Sequence, residues 1–221
     1  HGTRDTRKCP VMTTIVLGSA SDARAAILRR AGIPFRQHAA DIDEAALVAE
    51  IEQPRVQAQA LATAKAHAVA DTLLTDQPTL EHTYVIAADS IFEFDGKPYG
   101  KPHRPEVARQ RWQAQRGNTG TLHTGHSIIA LLGGEKQRVL QETVSAQVTF
   151  ANASDDVIED YIATGEPLGV AGGFTLEGHG ATMISAVDGD PNAVLGLSLR
   201  AVREQLQRVG VDLTKLWNSN E

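Results

Sequence analysis

The chain has 221 residues, 42% hydrophobic and 22% charged, a globular composition that excludes fibrous and disordered polymers and suits one folding unit of two lobes sharing a cleft. The 21 basic and 27 acidic side chains leave a formal charge of -6 without a lysine or arginine block, which argues against nucleic acid as a partner but leaves a single nucleotide open. The lone Cys9 excludes an internal disulfide and a cysteine zinc cluster, and no apolar run reaches the ~18 residues of a bilayer span, so a cytoplasmic protein with no membrane partner is expected.

Residues 1–12 are polar and are expected to be a vector-derived or disordered leader; 13–217 read as one domain and 218–221 as a tail. The β-branched run 13–17 predicts a strand, followed by the small-residue loop Gly18-Ser19-Ala20-Ser21 and a helix over 22–31. Gly32 and Pro34 end that helix, and 35–40 predict a second strand. Residues 43–71 predict two helices, the longer opened by Pro54 and carrying Val56, Ala60, Ala64 and Ala68 in one stripe. Over 83–94, the apolar run Tyr84-Val85-Ile86-Ala87-Ala88 predicts a buried strand that delivers Asp89 at its exit.

A helix over 104–116 is stopped by Gly117, and strands over 122–132 and 139–150 join as a hairpin through Gly133-Gly134. Ser154 caps a helix over 155–163. The segment 165–180 holds six glycines and Pro167 and is expected to be flexible enough to close over a ligand. A strand over 181–187 and one amphipathic helix from Asp190 or Asn192 to about Val209 complete an α/β pattern whose sheet is mixed.

Unpaired N–H groups at a helix start attract anions, so Ser19, Ser21 and Arg24 form a possible phosphate site; on this segment alone, a plain cap and a solvated arginine explain them better. Asp89 is harder to dismiss, because a carboxylate after five apolar or aromatic residues needs a partner, a metal or a capping role. Lys101 and Lys97 both stand in a Gly-Lys-Pro turn, and spacing does not choose between them. Lys65 reads as a surface residue in mid-helix, Glu93 and Asp95 as a solvent-facing strand end, and His123 and His126 as strand residues rather than zinc ligands. P-loop, Gly-x-Ser-x-Gly and Gly-x-Gly-x-x-Gly patterns are missing, which removes support for kinase, serine hydrolase and dehydrogenase readings.

Taken in order from Thr13 to Trp217, these segments resemble the Maf (septum-formation protein) family. Leu17-Gly18-Ser19-Ala20-Ser21-Asp22-Ala23-Arg24 is similar to the family's opening Leu-Ala-Ser-x-Ser-Pro-Arg-Arg, and Asp43-Glu44 to its acidic pair. Leu61-Ala62-Thr63-Ala64-Lys65-Ala66 matches its lysine helix, Ala87-Ala88-Asp89-Ser90 its Ala-Asp-Thr, and Gly100-Lys101-Pro102 its Gly-Lys-Pro. Ala171-Gly172-Gly173-Phe174-Thr175-Leu176-Glu177-Gly178 resembles Ala-Gly-x-x-x-Ile-Gln-Gly, and Val194-Leu195-Gly196-Leu197-Ser198-Leu199 resembles Val-Val-Gly-Leu-Pro-Leu.

The resemblance implies two lobes around an elongated mixed β-sheet with a central cleft, as in the inosine triphosphate pyrophosphatases. It implies hydrolysis of a nucleoside triphosphate, with dTTP, UTP or a modified pyrimidine triphosphate foremost, to the monophosphate and pyrophosphate. The alternatives are a 7-methyl-GTP pyrophosphatase and a non-catalytic nucleotide-binding regulator of cell division. By the same resemblance Asp89, Glu44, Lys65 and Lys101 are catalytic, with Asp89 as general base and Lys101 chosen over Lys97. Ser19, Ser21, Arg24 and Glu177 bind substrate, Asp89 and Glu44 hold Mg2+ or Mn2+, and a homodimer is expected. The chain also departs from the family: Asp22-Ala23 replaces Pro-Arg, Glu177 stands where glutamine is common, and Gly120 where histidine is common.

Overall fold

The computed structural model describes residues 12–217, so all but Met12 of the expected leader, and the tail over 218–221, lie outside the described residues. Parallel to β1 (Thr14–Leu17) run β2 (Arg36–Gln37) and β3 (Thr83–Phe94). The remaining strands, β4 (Lys97–Tyr99), β5 (Thr119–Leu132), β6 (Glu135–Phe150) and β7 (Ile184–Asp188), add by antiparallel pairing. The result is one seven-stranded mixed sheet in the order β2-β1-β3-β5-β6-β7, with β4 beside the far half of β3. The expected α/β class and mixed sheet are what the chain adopts.

β3, β5 and β6 are long enough to run through two packed regions. In the first, period-two alternation sends Ile15, Leu17, Ile86 and Ile128 to one face and Val16, Val85, Ile129 and Leu131 to the other. The former face is covered by α1 (Asp22–Arg30) and α7 (Leu199–Arg208), the latter by α3 (Pro54–Asp76). In the second region Phe92, Leu122 and Phe150 pack with α4 (Pro105–Gln115) and α5 (Asp155–Ala163), where Trp112 meets Phe150 and Tyr161 edge to face. The two regions are the lobes, and the shared strands tie them together.

Several local expectations are corrected. The buried face of α3 is Ala58, Leu61, Ala62, Ala66, Val69 and Ala70, whereas Val56 is exposed, because the helix lies on the sheet along a different stripe. β2 shrinks to two residues at the sheet edge. β3 does not stop at Asp89: the ladder to β5 continues to Glu93, so the carboxylate sits in mid-strand opposite Gly125. The final helix is two, α6 (Pro191–Leu195) and α7, because Gly196 turns left-handed at φ 118 and Ser198 caps a new start. The strand expected over 181–187 starts only at Ile184.

The glycine-rich segment carries three short 3₁₀ turns, Glu166–Gly169, Ala171–Gly173 and His179–Met183. Glycine is required at two close approaches elsewhere. A Cβ on Gly125 would lie 2.4 Å from the carbonyl oxygen of Ala58, so α3 rests directly on β5. A Cβ on Gly120 would lie 2.2 Å from Phe92, so that ring packs directly on the β5 backbone.

Candidate active site

Between the lobes lies a cavity of about 660 Å³, and all eight residues singled out as site candidates line it: Ser19, Ser21, Arg24, Glu44, Lys65, Asp89, Lys101 and Glu177. β1 ends where Gly18 N–H donates to the Ile86 carbonyl at 2.7 Å, and the chain then turns into α1. Ser21 caps α1 by accepting from Arg24 N–H at 3.3 Å, and Ser19 Oγ accepts from Ser21 N–H at 3.2 Å. The small side chains leave this helix start open to the cavity, where backbone N–H groups favour negative charge.

Arg24 is not the solvated side chain that its segment suggests. Its Nε donates to the Gly196 carbonyl at 2.7 Å, Nη1 to Ser19 Oγ at 3.3 Å and Nη2 to Ser90 Oγ at 3.2 Å. Burial lowers its affinity for the proton, and the charges of Asp89 and Glu44 act in the opposite direction. A guanidinium carries five N–H donors, so three bonds to protein leave two for an anion. Ser90 takes part as well, although in sequence it is only the residue that follows Asp89 in its motif. It also bonds Thr124 at 2.8 Å, which in turn donates to the Ala193 carbonyl, linking β3 and β5 to α6.

On the opposite face of β3, Asp89 is nearly buried and pairs with Lys65 Nζ, which reaches it from α3. The same ammonium lies 2.8 Å from Glu44 Oε1. Glu44 opens α2 (Glu44–Val48), whose start is fixed by Asp43 accepting from Ala46 N–H at 3.0 Å. Lys65, read from its segment as a surface residue, therefore sits only 13% exposed between two carboxylates. Its charge offsets their mutual repulsion.

The second lobe supplies the facing wall. Lys101 lines the cavity, whereas Lys97 stands exposed on β4 and does not. Val170, Ala171 and Phe174 add apolar surface, and Thr175 and Glu177 add hydrogen-bonding groups. Glu93, taken for a solvated strand end, instead bonds His123 Nε2 at 2.8 Å, with Ser145 on the other ring nitrogen at 2.7 Å. That trio does not line the cavity. Among the described residues no group of three or more His, Cys, Asp or Glu is arranged to hold a metal by itself, and no helix is long and apolar enough to cross a membrane.

Residues 14–209 match the family model described as Maf-like protein. A nucleoside triphosphate pyrophosphatase of Leifsonia xyli subsp. xyli (strain CTCB07) is 44% identical over 210 residues, covering 92% of this chain and 96% of the relative. The protein of the same description from Mycobacterium marinum (strain ATCC BAA-535 / M) is 42% identical over 216 residues, covering 95% and 99%. That of Saccharopolyspora erythraea is 42% identical over 205 residues, covering 91% and 96%. Among solved structures, the Staphylococcus aureus Ham1 protein aligns at 13% identity over 64% of this chain and 73% of its own, with a TM-score of 0.36, too partial a likeness to assign a fold.

Proposed function

The chain belongs to the Maf family, and on that premise we propose that its cleft hydrolyses a nucleoside triphosphate to the monophosphate and pyrophosphate, as a hydrolase acting on acid anhydrides. The observation that carries the reading is the convergence of Glu44 and Asp89 on Lys65 at a cavity that also receives a helix start, Arg24 and Lys101. Phosphoryl transfer asks a protein mainly for positioning and charge stabilisation, and this arrangement supplies both.

Arg24, Lys101 and the N–H groups around Ser19 and Ser21 hold the triphosphate. Asp89 accepts a proton from a water whose oxygen attacks the α-phosphorus, while the bond from that phosphorus to the bridging oxygen breaks and pyrophosphate leaves. Lys65 keeps the Asp89 carboxylate in place from above. Glu44 and Asp89 both pair with the Lys65 ammonium and are hard oxygen donors of the kind that Mg2+ or Mn2+ prefers, so these two carboxylates would hold such an ion together with phosphate oxygens of the substrate. When bound, the divalent ion supplies neutralising charge to the triphosphate.

For the base, the family resemblance supports dTTP and UTP. A second reading, 7-methyl-GTP, is favoured by Glu177, because an ionised carboxylate only accepts hydrogen bonds and guanine presents neighbouring donors. A homodimer and a role in septum formation rest on the resemblance alone.

The test is a panel of canonical and modified triphosphates scored for pyrophosphate release, with and without excess chelator. Fastest turnover of dTTP or UTP, abolished by chelator, is expected. A wide margin for 7-methyl-GTP replaces the pyrimidine reading, nucleotide binding without turnover replaces the enzyme with a regulator, and full turnover in chelator removes the metal.

A further inference from the structure

Glu166 lies outside the cavity lining, yet one carboxylate there gathers five donors. Oε1 accepts from Tyr161 OH at 2.9 Å, from Gly180 N–H at 2.9 Å and from Thr175 Oγ1. Oε2 accepts from His179 N–H and from His179 Nδ1, both at 2.8 Å. Burial pushes this carboxyl up, but the bonds from Thr175, Gly180 and His179 outweigh it and hold the group down to about 2.

The donors sit on both sides of the cavity residue Glu177, and Thr175 itself lines the cavity. Tyr161, on α5, anchors the hub to the aromatic core of the second lobe. The chain is shaped to this acid: a Cβ on Gly178 would meet its Oε2 at 2.4 Å, and one on Gly180 would meet Tyr161 OH at 2.5 Å. Segment 175–180 is thus wrapped around a half-buried anion, with Thr175 and Glu177 lining the ligand space. The cationic groups of the cavity are Arg24, Lys65 and Lys101, whereas the neighbouring residues of this wall are apolar or hydrogen-bonding. That chemistry suits a base and sugar better than a polyphosphate.

We propose that Glu166 is a positioning residue for the nucleoside half of the substrate, fixing the 175–180 wall and so setting affinity without entering the chemistry. The inference rests on the pyrophosphatase reading above. Asp89, Glu44 and Lys65 lie on β3, α2 and α3, none of which Glu166 bonds, so the chemical step is separable from the wall.

Steady-state kinetics of Glu166→Gln test it, using the best triphosphate of the panel and inorganic tripolyphosphate as a competitive inhibitor. The amide keeps the size but loses the charge and puts an N–H2 where donors converge, so KM should rise about tenfold or more while kcat stays within about twofold. The tripolyphosphate inhibition constant should not change, because that probe has no base or sugar. Tyr161→Phe, which removes one of the five donors and keeps the ring in the core, should give a smaller KM rise of about two- to threefold. It carries the test if Glu166→Gln does not fold. A fall in kcat at unchanged KM, a lower melting temperature with both constants intact, or an equal loss of tripolyphosphate affinity overturns the proposal. If the wild type turns over no triphosphate, amide hydrogen exchange over 175–180 and calorimetric binding of a nucleoside monophosphate still decide. Faster exchange and weaker binding in Glu166→Gln support it, and unchanged values overturn it.

Discussion

Asp89 and Glu44 are both acids, but their surroundings differ. Asp89 is held on a mid-strand position under α3, while the Glu44 side chain is 54% exposed at the start of a five-residue helix. A base must be rigid and close to its water, whereas a metal ligand can tolerate more freedom. Asp89→Asn is therefore expected to lose about a hundred- to ten-thousand-fold in kcat, the range of a well-placed general base, with Glu44 left to balance Lys65 so that the protein stays folded. Glu44→Gln should be partly rescued by raising Mn2+. Turnover measured across a metal titration separates them: full recovery of Asp89→Asn in excess Mn2+ makes Asp89 a ligand only and Glu44 the first candidate base.

At the scale of elements, the site depends on how closely α3 and α7 approach the sheet. Gly125 lets α3 lie on β5, and a methyl there would drive the helix away from Asp89. Gly125→Ala should cost about 1–3 kcal/mol, the usual penalty for overpacking. Because Lys65 rides on the displaced helix, turnover should fall as well; denaturant melts and assays on the folded fraction check the two effects. His126, on β5, accepts from the Ser198 N–H at the start of α7 and bonds the Glu142 carbonyl through its other nitrogen. Burial foremost, with the Arg24 charge adding to it, lowers this imidazole to about 4 despite the Glu142 carbonyl. The unfolded chain then binds the extra proton first, so the stability contribution is intact above about 6.5 and is lost as pH falls from there toward 4. The unfolding free energy should drop through that window by up to about 1.4 kcal/mol per pH unit from this group, read from denaturant melts, and His126→Gln should flatten the slope. An unchanged slope in the variant would assign the acid sensitivity to other groups.

For the molecule as a whole, the cavity exists because two lobes share β3, β5 and β6. The first lobe brings the acids, Lys65, Arg24 and the start of α1, and the second brings Lys101 and the wall around Glu177. Lys101 therefore tests whether both lobes take part in one reaction. Lys101→Ala should cut turnover by an order of magnitude or more without lowering the melting temperature, since the side chain is exposed to the cavity. Lys97→Ala, outside the cavity, should change neither quantity. Equal losses from the two variants would mean that the cavity wall does not distinguish the two Gly-Lys-Pro turns.

Local sequence determined what local physics controls. Apolar periodicity located the strands around Val16, Val85 and Ile129, Ser21 and Ser154 announced their helices through capping, and Gly133-Gly134 announced the hairpin. An ordered set of short motifs named the eight residues that the cavity gathers. Long-range contacts decided the rest. Ser90 joined Arg24 across 66 residues, and Lys65 changed from a surface side chain into the partner of two acids, because each depends on which strand lies under which helix. A glycine-rich stretch reads as pliant when only its own backbone freedom is counted. Glu166 gives that stretch a fixed shape by bonding groups as far as 14 residues away, and such pairings arise only when the folded chain brings the donors to one carboxylate.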